Sequence, residues 1–204
     1  MVESLAFFGG ERNTSGASLT AWLALRKTSV PFQELWVEEG SPQVDHVSPN
    51  GQLPVLIHQG ELVWDALAIA EYANETLAKG NLWPSATIAR AQARSIVGEL
   101  YAGFRATKAA LPLNVKAQSL PFELTPELEK EIVRIGAIWR HCLSKSKGPW
   151  LFGALSIVDI WCVPLVFQFR SYGVKLGTVE QGYVRTTLSD PDVRAWLGAC
   201  LSGP

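Results

Sequence analysis

Cysteine and histidine are scarce in this chain. Cys142, Cys162 and Cys200 form an odd set without close spacing, which suits buried thiols of a cytoplasmic protein and not a disulfide framework. His46, His58 and His141 are equally scattered and give no paired spacing of the metal-ligand type, so no metal is expected. Charge is low as well: charged residues make up 18% of the chain and the formal net charge is −1. Nucleic-acid binding needs concentrated Lys and Arg, and this balance argues against it. No apolar run reaches the roughly 18 residues that a membrane span requires. The N-terminus lacks a basic segment followed by a cleavable apolar one, so no signal peptide is expected. Internal repeats and low-complexity segments are also missing. What remains is 48% hydrophobic residues over 204 positions, ample for one large or two small packed domains.

The densest signal is Ser48-Pro-Asn-Gly-Gln-Leu-Pro-Val-Leu56, followed by Trp64-Asp-Ala-Leu-Ala-Ile-Ala-Glu-Tyr72. It reads as a loop, a proline-led strand, a hairpin turning at Gln59-Gly60, and a helix. Pro54 stands where a strand begins, a place proline tolerates because the first residue need not donate to the ladder. A cis Leu53–Pro54 bond would leave the N–H and C=O of Leu53 unpaired and able to dock a short extended peptide as an added strand. Asp65 then opens a helix whose first N–H groups attract an anion. Together these features suit a small peptide that carries its own carboxylates and amine. For an isolated X-Pro bond, trans is the ordinary outcome, since only about one in twenty is cis in folded proteins.

Upstream, Leu5–Phe8 is a short apolar run stopped by Gly9-Gly10, and Ala17–Lys27 has helical spacing. Phe32–Val37 reads as a second strand, so strand, helix and strand imply a parallel pair with a right-handed crossover. The hairpin 55–57/62–64 adds two antiparallel strands, and a helix over 65–77 follows. Beyond a linker containing Gly80 and Pro84, strand signals vanish. Residues 88–110 read as one long helix ended by Pro112. Thr125-Pro126-Glu127 marks an N-cap with proline at the first helical position, opening a helix that runs to about Ser144. Ser156-Ile-Val-Asp159 is a capping box with Leu155 and Ile160 placed as its staple, and the apolar run to Phe169 predicts a central helix. Asp190-Pro191-Asp192 opens a last helix containing Trp196.

The pattern Ser-Pro-x-Gly-x-Leu-Pro-Val-Leu, then a hairpin, then Asp-x-x-Ala-Ile-x-x-Tyr resembles the N-terminal domain of glutathione transferases. Trp150-Leu-Phe-Gly-x-x-Ser-x-x-Asp159 likewise resembles their C-terminal helical domain, which makes Asp159 structural. The resemblance covers essentially the whole chain. It implies a thioredoxin-like α/β domain over 1–79 that binds glutathione, a linker over 80–85, and an all-α substrate-binding domain over 86–204. It further implies a cis Pro54, with Leu53 holding the cysteinyl backbone of glutathione. Gln52 would lie near the glycine carboxylate, with Gln43 and His46 as weaker candidates. Asp65 would meet the γ-glutamyl amine and the N–H of Ala66 its carboxylate.

A transferase must also stabilise the thiolate. Lowering a thiol pKa from about 8.5 by ~2 units takes roughly 2.7 kcal/mol, within reach of a hydroxyl near a helix start. Thr14-Ser15-Gly16-Ala17-Ser18 occupies that place. Aligned with serine-type, zeta-like and bacterial relatives, Ser15 matches the serine facing the sulfur; Thr14 and Ser18 are alternates. An ordinary helix cap is the competing role for Ser15 and Ser18. The loop contains neither cysteine nor tyrosine. Two departures stand out: Gly16 replaces a second serine, and Ala66 replaces a serine whose lost hydrogen bond costs on the order of 1–2 kcal/mol. Thr20 stands where relatives often carry arginine.

Tyr101-Ala-Gly-Phe104 through Pro112-Leu-Asn114 resembles a bacterial subgroup. Its Tyr101, Phe104, Arg105 and Lys108 are candidates to contact a small hydrophobic electrophile, the basic pair suiting an anionic one. The resemblance implies a cytoplasmic homodimer that conjugates glutathione. Rivals on the same fold are an isomerase, an ether-cleaving or biosynthetic enzyme, and a non-catalytic binding or scaffolding protein.

Overall fold

The computed structural model describes residues 5–203. They form two compact units that divide between Leu82 and Trp83.

The first unit is built as β1 (Leu5–Gly9), α1 (Gly16–Arg26), β2 (Gln33–Trp36), α2 (Pro42–Val47), β3 (Val55–His58), β4 (Glu61–Trp64) and α3 (Ala66–Tyr72). The order across the sheet is β2-β1-β3-β4. β1 and β2 are parallel, with Phe7 opposite Glu34, and the other pairs are antiparallel. The central strands carry the core: Phe7, Val55 and Leu56 are fully buried, as are Leu19 and Leu23 of α1 and Ile69 of α3. The β3–β4 hairpin closes in two residues, Gln59 (φ 55°) and Gly60 (φ 84°), both left-handed. That is the turn whose twist matches paired strands, and glycine adopts it without steric cost.

One sequence expectation needs correction in this unit. The helix expected over 65–77 is α-helical only to Tyr72 and continues as a π-helical turn over Ala73–Leu77. Gln43 and His46 lie on the short helix α2. Pro42 takes its first position and Val44 is buried beneath it.

The second unit is all helical: α4 (Thr87–Ala102), α5 (Arg105–Ala110), α6 (Pro126–Lys145), α7 (Ile157–Ser171), α8 (Thr178–Ser189) and α9 (Pro191–Ser202). α7 is apolar nearly all round and packs against α4 and α8, with Phe167 fully buried. Its capping box is formed, and the carboxylate of Asp159 accepts the Ser156 N–H at 2.9 Å. Asp159 is only 1% exposed and also accepts the Leu151 N–H and the Tyr183 hydroxyl, each at 3.0 Å. Burial pushes its carboxyl up to about 6, against those hydrogen bonds.

The irregular segment after α5 is tied to the end of α7. Gln168 Nε2 donates to Leu111 O at 2.6 Å, and the Ser171 hydroxyl to Asn114 O at 2.5 Å. The Tyr172 hydroxyl reaches Pro112 O at 3.1 Å, and the Leu120 N–H reaches Ser171 O at 2.9 Å.

The single long helix expected over 88–110 is interrupted. Gly103 is extended and Phe104 is left-handed (φ 56°, ψ 45°), so α4 stops and α5 restarts. Glycine is about 1 kcal/mol worse than alanine in a helix, which opens the way. Charged side chains then satisfy both new ends. Glu131 of α6 accepts the Ala106 and Thr107 N–H groups at 3.2 and 2.7 Å. Lys108 donates to the Leu100 and Tyr101 carbonyls at 3.2 and 2.8 Å. Helix α8 was not foreseen. It begins at Gly177 without a side-chain cap, and its sequence is largely polar.

Candidate functional site

Register alone gathers the candidate residues of the first unit. β1 runs antiparallel to β3 with Phe8 opposite Val55, and Val55 pairs in turn with Trp64. The end of β1, the start of β3 and the end of β4 therefore share one edge of the sheet. Three loops leave or enter there, carrying Ser15, Leu53–Pro54 and Asp65.

The Leu53–Pro54 bond is cis. Among the described residues, neither the N–H nor the C=O of Leu53 has a hydrogen-bond partner. The loop before it is held by Ser48, whose hydroxyl accepts the Gln52 N–H at 3.0 Å and donates to the Gln52 carbonyl at 2.6 Å. One buried hydroxyl thus fixes both backbone groups of the residue before Leu53. The Gln52 side chain is exposed. Ser48 belonged to the recognised pattern, but its bracing role is visible only once the loop is closed. Gln43 and His46 are exposed on α2.

Asp65 is the N-cap of α3, and its Oδ1 accepts the Leu67 N–H at 2.7 Å. Its backbone is at φ 76°, ψ 136°, a region costly for any residue with a Cβ. Ala66 is 5% exposed, and among the described residues its N–H meets no acceptor. The helix start thus offers a carboxylate and an uncommitted N–H side by side.

Ser15 is the N-cap of α1, 9% exposed, with its Oγ accepting the Ser18 N–H at 3.3 Å. The Ser15 and Ser18 hydroxyls lie 2.9 Å apart, and Ser18 Oγ accepts the Gly10 N–H at 2.9 Å. Ser18 is fully buried, whereas Thr14 is exposed. Thr20, where relatives often carry arginine, donates back to Gly16 O at 2.8 Å within α1. A line of donors therefore runs from the Gly10 amide through Ser18 to Ser15. Here Ser15 Oγ donates to Ser18 Oγ, and because hydroxyl hydrogens rotate to suit their surroundings, Ser18 can instead donate to Ser15 and release the Ser15 proton for a ligand.

In the second unit, the candidate residues surround the α4–α5 break instead of sharing one helical face. Tyr101 ends α4 and is 47% exposed, while Phe104 is 7% exposed. Arg105 is exposed at the start of α5. The Lys108 ammonium is turned onto the carbonyls of α4, and partial burial lowers its pKa. All three cysteines are buried, and none of them forms a disulfide. Among the described residues, no three His, Cys, Asp or Glu side chains converge to hold a metal ion, and no helix is long and apolar enough to cross a membrane.

Residues 14–76 match the family model described as "Glutathione S-transferase, N-terminal domain". The chain is 25% identical over 177 residues to a probable maleylacetoacetate isomerase of Caenorhabditis elegans, covering 82% of this chain and 80% of that protein. Among solved structures, it is similar to a glutathione transferase homologue from Burkholderia solved with bound glutathione. That likeness has a TM-score of 0.78 at 17% identity and covers 98% of this chain and 100% of the other. The Tau class glutathione S-transferase of mango gives a TM-score of 0.74 at 21% identity, over 95% and 92% of the two chains. At such identities the structural likeness speaks for the fold, and the matched segment speaks for the domain. Residues 14–76 accordingly match the glutathione S-transferase N-terminal domain, and the fold of those enzymes extends along nearly the whole length of the chain.

Proposed function

We propose that this protein is a glutathione-dependent enzyme of the serine type, with its reaction centre at the sheet edge of the first unit. The unpaired N–H and C=O of Leu53 beside the cis Pro54 carry this reading, because they form a preset strand edge for one short peptide. In this arrangement Leu53 pairs with the cysteinyl backbone of glutathione. Asp65 meets the γ-glutamyl amine, the Ala66 N–H its carboxylate, and Gln52 the glycine carboxylate. The similar Burkholderia homologue solved with bound glutathione supports the same ligand.

Chemistry then falls to Ser15. Its hydroxyl donates to the sulfur, while the Gly10–Ser18 line supplies the replacement hydrogen bond behind it. A charge-assisted hydrogen bond of about 1.5–3 kcal/mol covers much of the ~2.7 kcal/mol that a two-unit drop in thiol pKa requires. The thiolate then attacks a small hydrophobic electrophile. Tyr101 and Arg105 are the exposed candidates to contact it, while Phe104 and Lys108 shape the break from which they project. We take the working form to be a cytoplasmic homodimer, as the family resemblance implies.

A second reading is isomerisation, in which the thiolate adds to the substrate, permits rotation about a bond, and leaves again. The similarity to a probable maleylacetoacetate isomerase favours it. Mass analysis of the products separates the two, since conjugation adds the mass of glutathione and isomerisation adds nothing. For either reading, wild-type protein is expected to be retained on immobilised glutathione. Ser15→Ala should keep that retention while turnover of an activated aryl halide or an unsaturated diacid falls at least ten-fold. Absence of retention by wild type would sink the glutathione reading. Unchanged turnover in Ser15→Ala would remove Ser15 from its role.

A further inference from the structure

At the C-terminal end of α7, Arg170 presents an unsatisfied donor. Its Nη1 is buried and has no hydrogen-bond partner, and no carboxylate pairs with it among the described residues. Buried N–H groups are nearly always satisfied, so an orphan guanidinium nitrogen marks a place where an acceptor is missing. Arg170 lines an open cavity of about 570 Å³ formed by residues 169–185. Lys175 and Arg185 line the same cavity, and no acidic residue does. Val174, Leu176 and Val184 supply apolar wall.

The scaffold holds this arrangement in place. α7 ends in a left-handed turn at Gly173 (φ 64°), with the Val174 N–H bonded to Phe169 O at 2.9 Å and the Gly173 N–H to Arg170 O. That double closure fixes the direction of the chain between Arg170 and Lys175. The Gln181 side chain bonds to Leu176 O at 2.8 Å, which ties the start of α8 to the same turn. Three cationic residues thus line one depression whose backbone is fixed.

We propose that this cavity binds a small organic phosphate. Three facing cations call for more than one negative charge, and a phosphate monoester brings nearly two at pH 7 with three strong acceptors. The guanidinium fork of Arg170 matches two of those oxygens. The volume falls in the range of small-molecule sites and exceeds that of a bare phosphate, so the apolar wall takes the body of the ligand. This inference does not rest on glutathione use.

The test uses the full-length protein, isotope-labelled, with amide spectra recorded at low salt during titration with phenyl phosphate, benzoate, inorganic phosphate or phenol. Phenyl phosphate is expected to shift signals of residues 169–185 saturably, at least ten-fold more tightly than benzoate or inorganic phosphate, and phenol not at all. Raising the salt to about 0.5 M should weaken it several-fold. Arg170→Met should weaken binding at least ten-fold. Lys175→Gln and Arg185→Gln change exposed side chains and leave the fold intact, and each should weaken it about three-fold or more. The proposal is overturned if wild type gives no saturable response in that segment. It is also overturned if the response lies among residues 14–66, or if the double variant Lys175→Gln/Arg185→Gln binds as wild type does.

Discussion

Asp65 meets two demands with one side chain. As N-cap it satisfies the Leu67 N–H, and as the acidic group beside Leu53 it is placed for an ammonium. Asparagine separates the two roles: it caps a helix about as well as aspartate and tolerates positive φ, but it carries no charge. Asp65→Asn is therefore expected to unfold within about 0.5 kcal/mol of wild type in urea, while glutathione affinity measured by calorimetry drops about ten-fold. Asp65→Ala should lose the cap as well, at about 1 kcal/mol. Asp159 sets a different test. Its folded pKa of about 6 lies above the ordinary 3.8, so the folded state favours the protonated form. The resulting stability is fully present below about pH 3.8 and is lost as pH rises through about 6, a span worth about 3 kcal/mol. Urea denaturation from pH 4 to 7 should show this contribution as the difference between wild type and Asp159→Asn, the variant lacking that slope.

Among the elements, the α4–α5 break depends on groups distant in sequence. Glu131→Gln keeps one acceptor, loses the other, and removes the negative charge near Lys108. It should cost about 1 kcal/mol and lower the melting temperature by about 2–4 °C. Exchange of the Ala106 and Thr107 amide hydrogens should accelerate in parallel. This dependence explains why the break was illegible in the sequence: Gly103 hinted at it, but the caps come from Glu131 and from Lys108 folding back. Short-range devices were readable. The Gln59-Gly60 turn, the Thr125 and Asp190 caps and the Ser156 box each lie within four residues of their partners. α8 escaped because nothing local announces its start, and its buried groups find their partners on other helices: Glu180 meets Arg140 of α6, and Tyr183 bonds to Asp159 of α7. The sheet-edge residues Ser15, Leu53 and Asp65 were legible through their motif. Ser18 and Ser48, which brace them, acquire their roles only through loop closure.

Across the whole molecule, a net charge of −1 conceals strong local asymmetry, with Arg170, Lys175 and Arg185 around one depression. Burial is equally uneven with respect to regular structure. Residues 111–125 form neither helix nor strand, yet Leu111 and Val115 are fully buried and α7 grips the segment at four points. Such a strap behaves toward a protease as part of the core. Trypsin needs several extended residues on each side of its cleavage point, and around Lys116 it can have them only once the end of α7 lets go. Cleavage at Lys116 should therefore show the same urea dependence as global unfolding of the helical unit. An exposed loop of that length would be cut in native buffer.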